Sequence, residues 1–552
     1  MTGILLVGGT GVFGRLLAEG LMKDGHSDLI IAGRNLDLAT EVANALGCRA
    51  AQIDRDGTDL QARLLEIAPE IVIDAAGPFQ AYGQDPYRLA RAAIAVGAHV
   101  MDLADDAAFV AGISSLDDEA KTASVVVRSG VSSVPCLSSA VVRDLSKGLH
   151  RTERIDIAIL PGNRAPRGRS VMAAILAQVG KPIPGWDGAY GWIGHKRISV
   201  PGSWIDRAAS PIGAPDLLLF KQHFGAEAVR FRAGLELPFL HFGLALIAWL
   251  CRTGALKSPT TWLPLLHRIA RLTEPFGTDV GAMVVTVIGQ KAPSNRVRRD
   301  WSVVARAGKG PYIPTLAARC LVRRLTADTE VATGARPALD DVTTQEVISI
   351  DPDLALETHT NSSPWPTVFE TALGRDFNTL PDRLQDLHDV TGRRVWNGQA
   401  TITRSANPFA NLVANLFRFP KSGKDQPITV TMVRDDGKEV WTRTINGRDW
   451  VSCLTPDVTQ NGRVWERFGP FRFAIDLTVA NDGLHYPVFA GKFLGLPLPR
   501  LILPKSETRE AVDEAGRATF DVALSLPFLG PIVRYEGWLQ PISGDQSPSP
   551  SS

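Results

Sequence analysis

Seven residues near the start of the chain carry the strongest chemical signal: Gly8, Gly9, Thr10, Gly11, Val12, Phe13 and Gly14. Gly8, Gly11 and Gly14 recur every third residue, and Gly9, Gly11 and Gly14 fit the pattern G-x-G-x-x-G. Glycine at these places lets a chain turn sharply, approach a pyrophosphate with its backbone and pack a helix close to a strand. The open N–H groups of the helix start then face the phosphate charge. An apolar run at 4–7 precedes the loop and an amphipathic run follows it, which is the context the motif needs. A tight β–α turn without a ligand is the plainer alternative.

The end of the second apolar run selects the dinucleotide. An acidic residue there would hold a ribose 2′-hydroxyl, whereas a guanidinium suits a 2′-phosphate. The chain reads Gly33-Arg34-Asn35 at this point, so Arg34, with Asn35 beside it, points to NADP(H) rather than NAD. Asp54 ends the third run, placed either to accept from an adenine amino group or to form a surface turn. After the fourth run, Ala76, Gly77 and Pro78 put small residues where the sheet edge should face the cofactor.

No catalytic residue is assigned by pattern. None of the six tyrosines belongs to Y-x-x-x-K, and neither H-E-x-x-H nor G-x-S-x-G occurs. Hydride transfer needs orientation more than a protein acid, since the cofactor supplies the chemistry. Arg164, Arg167 and Arg169 form either a grip for a carboxylate or phosphate or a basic surface loop. His195 and Lys196 are candidate proton donors with no pattern to raise them above surface residues. His99 reads as structural. Asp102, Asp105 and Asp106 either bind an amine or include a helix cap at Asp105. The five cysteines are far apart and form no C-x-x-C pair, so neither a disulfide framework nor a metal site is expected.

The elements that must position these residues follow from periodicity. Short apolar runs at 4–7, 29–31, 50–53, 71–74, 99–103 and 124–127 alternate with amphipathic segments. That alternation predicts a parallel, doubly wound α/β sheet, here assigned to residues 1–150. Residues 151–345 read as an α+β substrate or dimerisation domain, in which 185–215 looks irregular. Residues 340–364 read as a polar linker. Residues 364–541 are strand-rich and mainly antiparallel, with a hairpin signal at Asp435-Asp436-Gly437-Lys438. Residues 542–552 read as a disordered tail.

Bulk properties narrow the partners. The 552 residues are 45% hydrophobic and 21% charged, with a net charge of +1. That balance gives no general case for nucleic acid or an acidic membrane surface. The stretch 237–251 lacks Asp, Glu, Lys and Arg, but is shorter than the roughly 20 residues of a spanning helix. A buried or dimer-interface helix is the first reading, and membrane-surface contact the alternative. The first apolar run starts too early to leave room for a secretory leader, so a cytoplasmic location is expected.

The segments GGTGVFG, AGR, AAGPFQAYG and HVMDLADD together resemble the NADP-binding domain of saccharopine dehydrogenase-like proteins over about residues 4–130. SVPCLSSAVV, PGNRAPRGR and WSVVARAGKGPYIP extend that resemblance. ERFGPFRF, GLPLPRLILP and YEGWLQP resemble DUF4166, a domain of unknown function, over 364–541. The resemblance implies a Rossmann-type domain, an α+β second domain and reductive chemistry on a C=N, C=O or C=C bond, without fixing the substrate. The apolar, proline-rich third domain points to a lipid-like ligand or to a scaffold role. A small-molecule, hydrophobic substrate and a homodimer are therefore expected. A non-catalytic NADP-binding scaffold or lipid carrier stands as the second reading.

Overall fold

In a computed structural model the chain is described over residues 3–166, 168–257, 259–292, 295–327, 331–435 and 437–542, with the backbone alone at 169 and 170. Arg167, the side chain of Arg169, Asp436 and the tail beyond Ile542 lie outside the described residues. Two compact units divide the chain, Met1–Pro364 and Trp365–Ser552.

The first unit begins with strands β1 (Ile4–Val7), β2 (Leu29–Gly33), β3 (Arg49–Gln52), β4 (Ile71–Asp74), β5 (His99–Asp102) and β6 (Val126–Ser129). Helices α1 (Val12–Lys23) and α2 (Leu36–Leu46) follow β1 and β2. The strands lie in the order β3-β2-β1-β4-β5-β6, all parallel, as expected for a Rossmann-type domain. All four residues of β1 are buried. Ile4 and Leu6 enter one apolar core while Leu5 and Val7 enter another, because a parallel sheet is covered on both faces. The strand order reverses between β1 and β4, which opens a crevice at their carboxyl ends.

The chain returns to this sheet late. Gly334–Pro337 adds a seventh strand, parallel to β6. The helix Ile313–Thr326 packs on α1, where Arg319 lies against Gly20 and bonds both Asp24 and Asp351 at 2.8 Å. Residues 340–364 are therefore not a linker. They hold the helix Thr344–Ser349, closed by a Thr343–Glu346 capping box, and the strand Glu357–Pro364. Their polarity reflects an exposed edge strand and buried ion pairs, such as Arg128 with Asp341 at 2.8 Å.

A second, mixed sheet has seven strands, running from Glu357–Pro364 through Asn295–Ala305, Gly281–Ala292, Arg151–Leu160, Ala228–Gly234 and Asp206–Pro211 to Lys196–Ser199. The last two strands occupy the stretch expected to be irregular, since Gly, Pro and Trp mask short edge strands. The apolar stretch 237–251 becomes the helix Pro238–Arg252, which buries His241 and Ala248 and exposes Phe239, Phe242, Leu246 and Trp249. This corrects the expectation of a helix buried within the chain. Among the described residues no helix is long and apolar enough to cross a membrane.

Among the described residues the second unit holds one antiparallel sheet of thirteen strands, together with the helices Val368–Leu373, Asp382–His388 and Pro408–Leu416. The hairpin signal holds: Gly423–Asp435 pairs with Lys438–Ile445 from Asp435 and Lys438 inward, and Gly437 takes a φ of +74°. Phe471–Asp476 lies near one end of the strand order and Thr478–Ala480 is the other end. Leu477 alone joins them, so the sheet curls until its two ends meet. Side chains alternate accordingly: Phe471, Phe473 and Ile475 face the interior while Arg472 stands exposed.

Candidate functional site

The glycines of the first loop divide by what they touch. Gly8 takes a φ of +82°, donates its N–H to the Ala32 carbonyl at 2.8 Å, and would place a β-carbon 2.6 Å from Ala76 Cα. A β-carbon on Gly14 would stand 2.2 Å from the Gly8 carbonyl oxygen. On Gly9 it would stand 2.9 Å from an Ile31 methyl. These three positions are required by the packing of strand, loop and helix.

Gly11 and Gly77 differ. A β-carbon at Gly11 would meet only the Gly8 oxygen, at 3.3 Å, and one at Gly77 would come no nearer than 3.6 Å to the Phe79 ring. The fold makes a weaker demand for glycine there, and their bareness keeps the crevice open. Thr10 and Gly11 are exposed. Helix α1 starts at Val12 with no side-chain cap and no acid in its first turn. Its leading N–H groups, including those of Val12 and Phe13, are left for an anion at the positive end of the helix dipole. These features fit a pyrophosphate.

Arg34 is exposed just beyond β2, and its guanidinium has no partner among the described residues. Its carbonyl accepts from Gln52 Nε2 at 3.0 Å, which fixes the backbone there. A β-carbon on Gly33 would lie 4.0 Å from the Thr10 hydroxyl, so the phosphate loop and the Arg34 corner adjoin. Asn35 spends its side-chain oxygen on the Leu38 N–H, capping α2 at 3.1 Å. Asp54 is exposed and accepts from the Asp56 N–H at 3.1 Å within its own turn. Ala76 donates its N–H to Asp74 at 2.9 Å, ahead of a cis Gly77-Pro78 bond.

Beneath this edge lie Asp74, Tyr82 and Arg55, which the sequence motifs did not mark, and Asp102, which the acidic cluster did. Asp74, buried at the end of β4, accepts the Tyr82 hydroxyl at 3.0 Å, and the Arg55 guanidinium lies 3.1 Å over the Tyr82 ring. Burial pushes the Asp74 carboxyl up. Asp102 ends β5 in the same way, with one oxygen accepting from Ala104 at 2.9 Å and Gly130 at 2.8 Å. Burial pushes it up to about 7. Both carboxylates shape the loops that follow the strands. The visible signal was an Asp closing an apolar run.

Other candidates are placed elsewhere. Asp106, not Asp105, caps the next helix by accepting from the Phe109 N–H at 2.9 Å. His99 Nδ1 accepts from the Val126 N–H at 3.0 Å, tying β5 to β6, as expected of a structural histidine. Lys196 and His195 stand at the outermost strand of the second sheet, with His195 edge-on to Phe242 at 5.0 Å.

The loop after Arg151–Leu160 brings Gly168 to the start of α1. A β-carbon on Gly168 would lie 3.6 Å from a Val12 methyl, over the start of α1. Glu236 anchors this loop: it accepts from the Asn163 N–H at 2.6 Å, the Thr278 hydroxyl at 2.6 Å and Arg207 at 2.9 Å. Arg164 is drawn away to the Pro275 carbonyl at 3.1 Å. Among the described residues no group of three or more His, Cys, Asp or Glu is arranged to hold a metal ion.

Comparison with known proteins agrees with these two regions. Residues 4–127 match the saccharopine dehydrogenase NADP binding domain, and residues 380–539 match DUF4166, a domain of unknown function. No curated protein sequence matches the chain. Among solved structures, saccharopine dehydrogenase from Saccharomyces cerevisiae is 13% identical, covering 66% of this chain and 100% of that one with a TM-score of 0.45. A biliverdin reductase from Synechocystis sp., solved with biliverdin and NADP+, is 12% identical over 64% of this chain and 96% of its own, with a TM-score of 0.31. A probable dehydrogenase from Thermotoga maritima is 11% identical over 63% and 92%, with a TM-score of 0.28.

Proposed function

We propose that this chain, which joins a saccharopine dehydrogenase-type nucleotide-binding domain to a DUF4166 domain, is an NADP(H)-dependent oxidoreductase of a small molecule. The observation that carries the reading is the unpartnered Arg34 guanidinium beside an uncapped, glycine-led helix start. The first-turn N–H groups of α1 hold the pyrophosphate, and Arg34 forks onto the 2′-phosphate. Ala76, Gly77 and Pro78 line the crevice toward the nicotinamide. The dinucleotide supplies or accepts the hydride at a C=N, C=O or C=C bond. The loop that ends at Gly168, held by Glu236, stands beside the helix start and would flank a bound pyrophosphate. Residues 1–150, with the returning segment 313–337, serve the cofactor, the second sheet with its edge strand Glu357–Pro364 serves substrate, and the unit from Trp365 is the appended module, in a cytoplasmic protein.

Turnover tests the reading. Purified full-length protein with NADPH should oxidise it when given fractions of a cell extract resolved into polar and lipid pools. Tight NADPH binding without oxidation by any fraction would sink the enzyme reading. It would favour a cofactor-binding carrier, a second reading supported by the apolar interior of the second unit.

A further inference from the structure

The curled sheet of the second unit encloses a cavity of about 400 Å³, within the range of small-molecule sites. Its wall is built by alternation. Ile428 and Val430 point in from one strand, Phe520 and Val522 from another, Phe471 and Phe473 from a third. Well-packed interiors leave few voids larger than a water molecule, so an apolar space of this size in a folded domain is a binding cavity.

One part of the wall is polar. The strand Lys505–Val512 turns Ser506, Thr508 and Glu510 inward. Arg443 and Glu466 face the same space, their charges 3.6 Å apart, and Arg443 also donates to the Ser452 hydroxyl at 2.9 Å. Glu510 is occupied: His388 Nε2 lies 2.7 Å from it, and the Tyr486 hydroxyl donates to it. The His388 Nδ1 is buried without a partner among the described residues. Among the described residues, the lining thus sets one guanidinium, Arg443, against two carboxyl side chains, Glu466 and Glu510, with Arg443 already facing Glu466.

The mouth is apolar. Leu416 and Ile502 both line the cavity and stand 73% and 51% exposed. Leu412 and Leu501, one helical turn and one residue away from them, are exposed as well, as is Phe528, two residues beyond the lining Leu526. Such residues favour an entrant that arrives from an apolar phase.

We propose that this cavity binds a neutral amphiphile, a hydrocarbon body ending in a hydroxyl group. A hydroxyl both accepts, from Arg443, and donates, to Glu466. A carboxylate or phosphate head would bring a third acidic group to a lining whose guanidinium already faces Glu466. This inference does not depend on the cofactor reading of the first unit.

The test uses the full chain and the neutral fluorophore N-phenyl-1-naphthylamine, with 1-dodecanol, dodecanoate and dodecylamine as competitors. The fluorophore should bind at one site, and dodecanol should displace it about ten-fold more effectively than either charged analogue. Val522→Trp, which fills the space, should weaken fluorophore binding at least about ten-fold with the melting temperature kept. Glu466→Gln, which removes one negative charge without changing shape, should move the preference toward dodecanoate. Absence of fluorophore binding, equal displacement by dodecanol and dodecanoate, or unchanged binding in a folded Val522→Trp protein would each overturn the proposal. Stronger displacement by dodecylamine would do the same, assigning the site to a cation.

Discussion

Gly14 sits against Gly8 so closely that a β-carbon on it would stand 2.2 Å from the Gly8 carbonyl oxygen. This backbone contact locks helix α1 to the loop that ends β1. Gly14→Ala should therefore damage the fold itself, by about 1–3 kcal/mol as for other overpacked sites. Gly77→Ala, whose new methyl meets only ordinary contacts, should keep the melting temperature and lose dinucleotide affinity. Thermal melts and NADPH titrations of both variants separate the two roles. A Gly77→Ala protein that melts early would show that its glycine serves packing.

Arg319 ties the late helix Ile313–Thr326 to α1 through Asp24 and to the following segment through Asp351. Arg319 and Asp351 are buried and Asp24 is half-buried. Arg319→Met should cost about 3–5 kcal/mol, because it leaves two carboxylates without their main counter-charge. Lys23 still reaches Asp351, which favours the lower end of that range. Urea unfolding of the full chain, monitored by the tryptophans, measures it. A cost below about 1 kcal/mol would mean that the bridge is not needed to hold the late segment on the first sheet.

Asp102 gives a pH dependence of definite sign. Burial raises it from 3.8 to about 7 in the folded chain, so the fold binds this proton more tightly than the unfolded chain does. The associated stability is full below pH 3.8 and is lost as the pH rises through about 7. Asn at this position can still accept both the Ala104 and Gly130 N–H groups, since a single oxygen takes both. Asp102→Asn should therefore flatten the loss of denaturant resistance between about pH 4 and 7. An identical slope in the two proteins would rule out Asp102 as its source.

Much of this was legible locally. Gly8, Gly11 and Gly14 after an apolar run announced the tight turn into α1, and Gly437 announced its hairpin. The parallel sheet followed from runs such as Ile71–Asp74, buried throughout. The segment Glu357–Pro364 was not legible, because an edge strand with exposed side chains has no apolar alternation to show. Glu236 was hidden for a different reason. Its partners Asn163, Arg207 and Thr278 are far from it in sequence, and nothing local marks a carboxylate as an anchor. The apolar motifs of the second unit indicated a greasy interior, but the sheet closure through Leu477 and the polar row Ser506, Thr508, Glu510 needed the strand order.

The reading of the first unit rests on Arg34 meeting a 2′-phosphate, and one measurement addresses it most directly. NADPH and NADH are titrated into the wild-type chain and into Arg34→Asp, following nicotinamide fluorescence. The account predicts that wild type prefers NADPH by about ten-fold or more, the scale of a charged hydrogen bond. It predicts that Arg34→Asp loses NADPH affinity while holding most of its NADH affinity. Equal loss of both dinucleotides, or no loss of either, would contradict it.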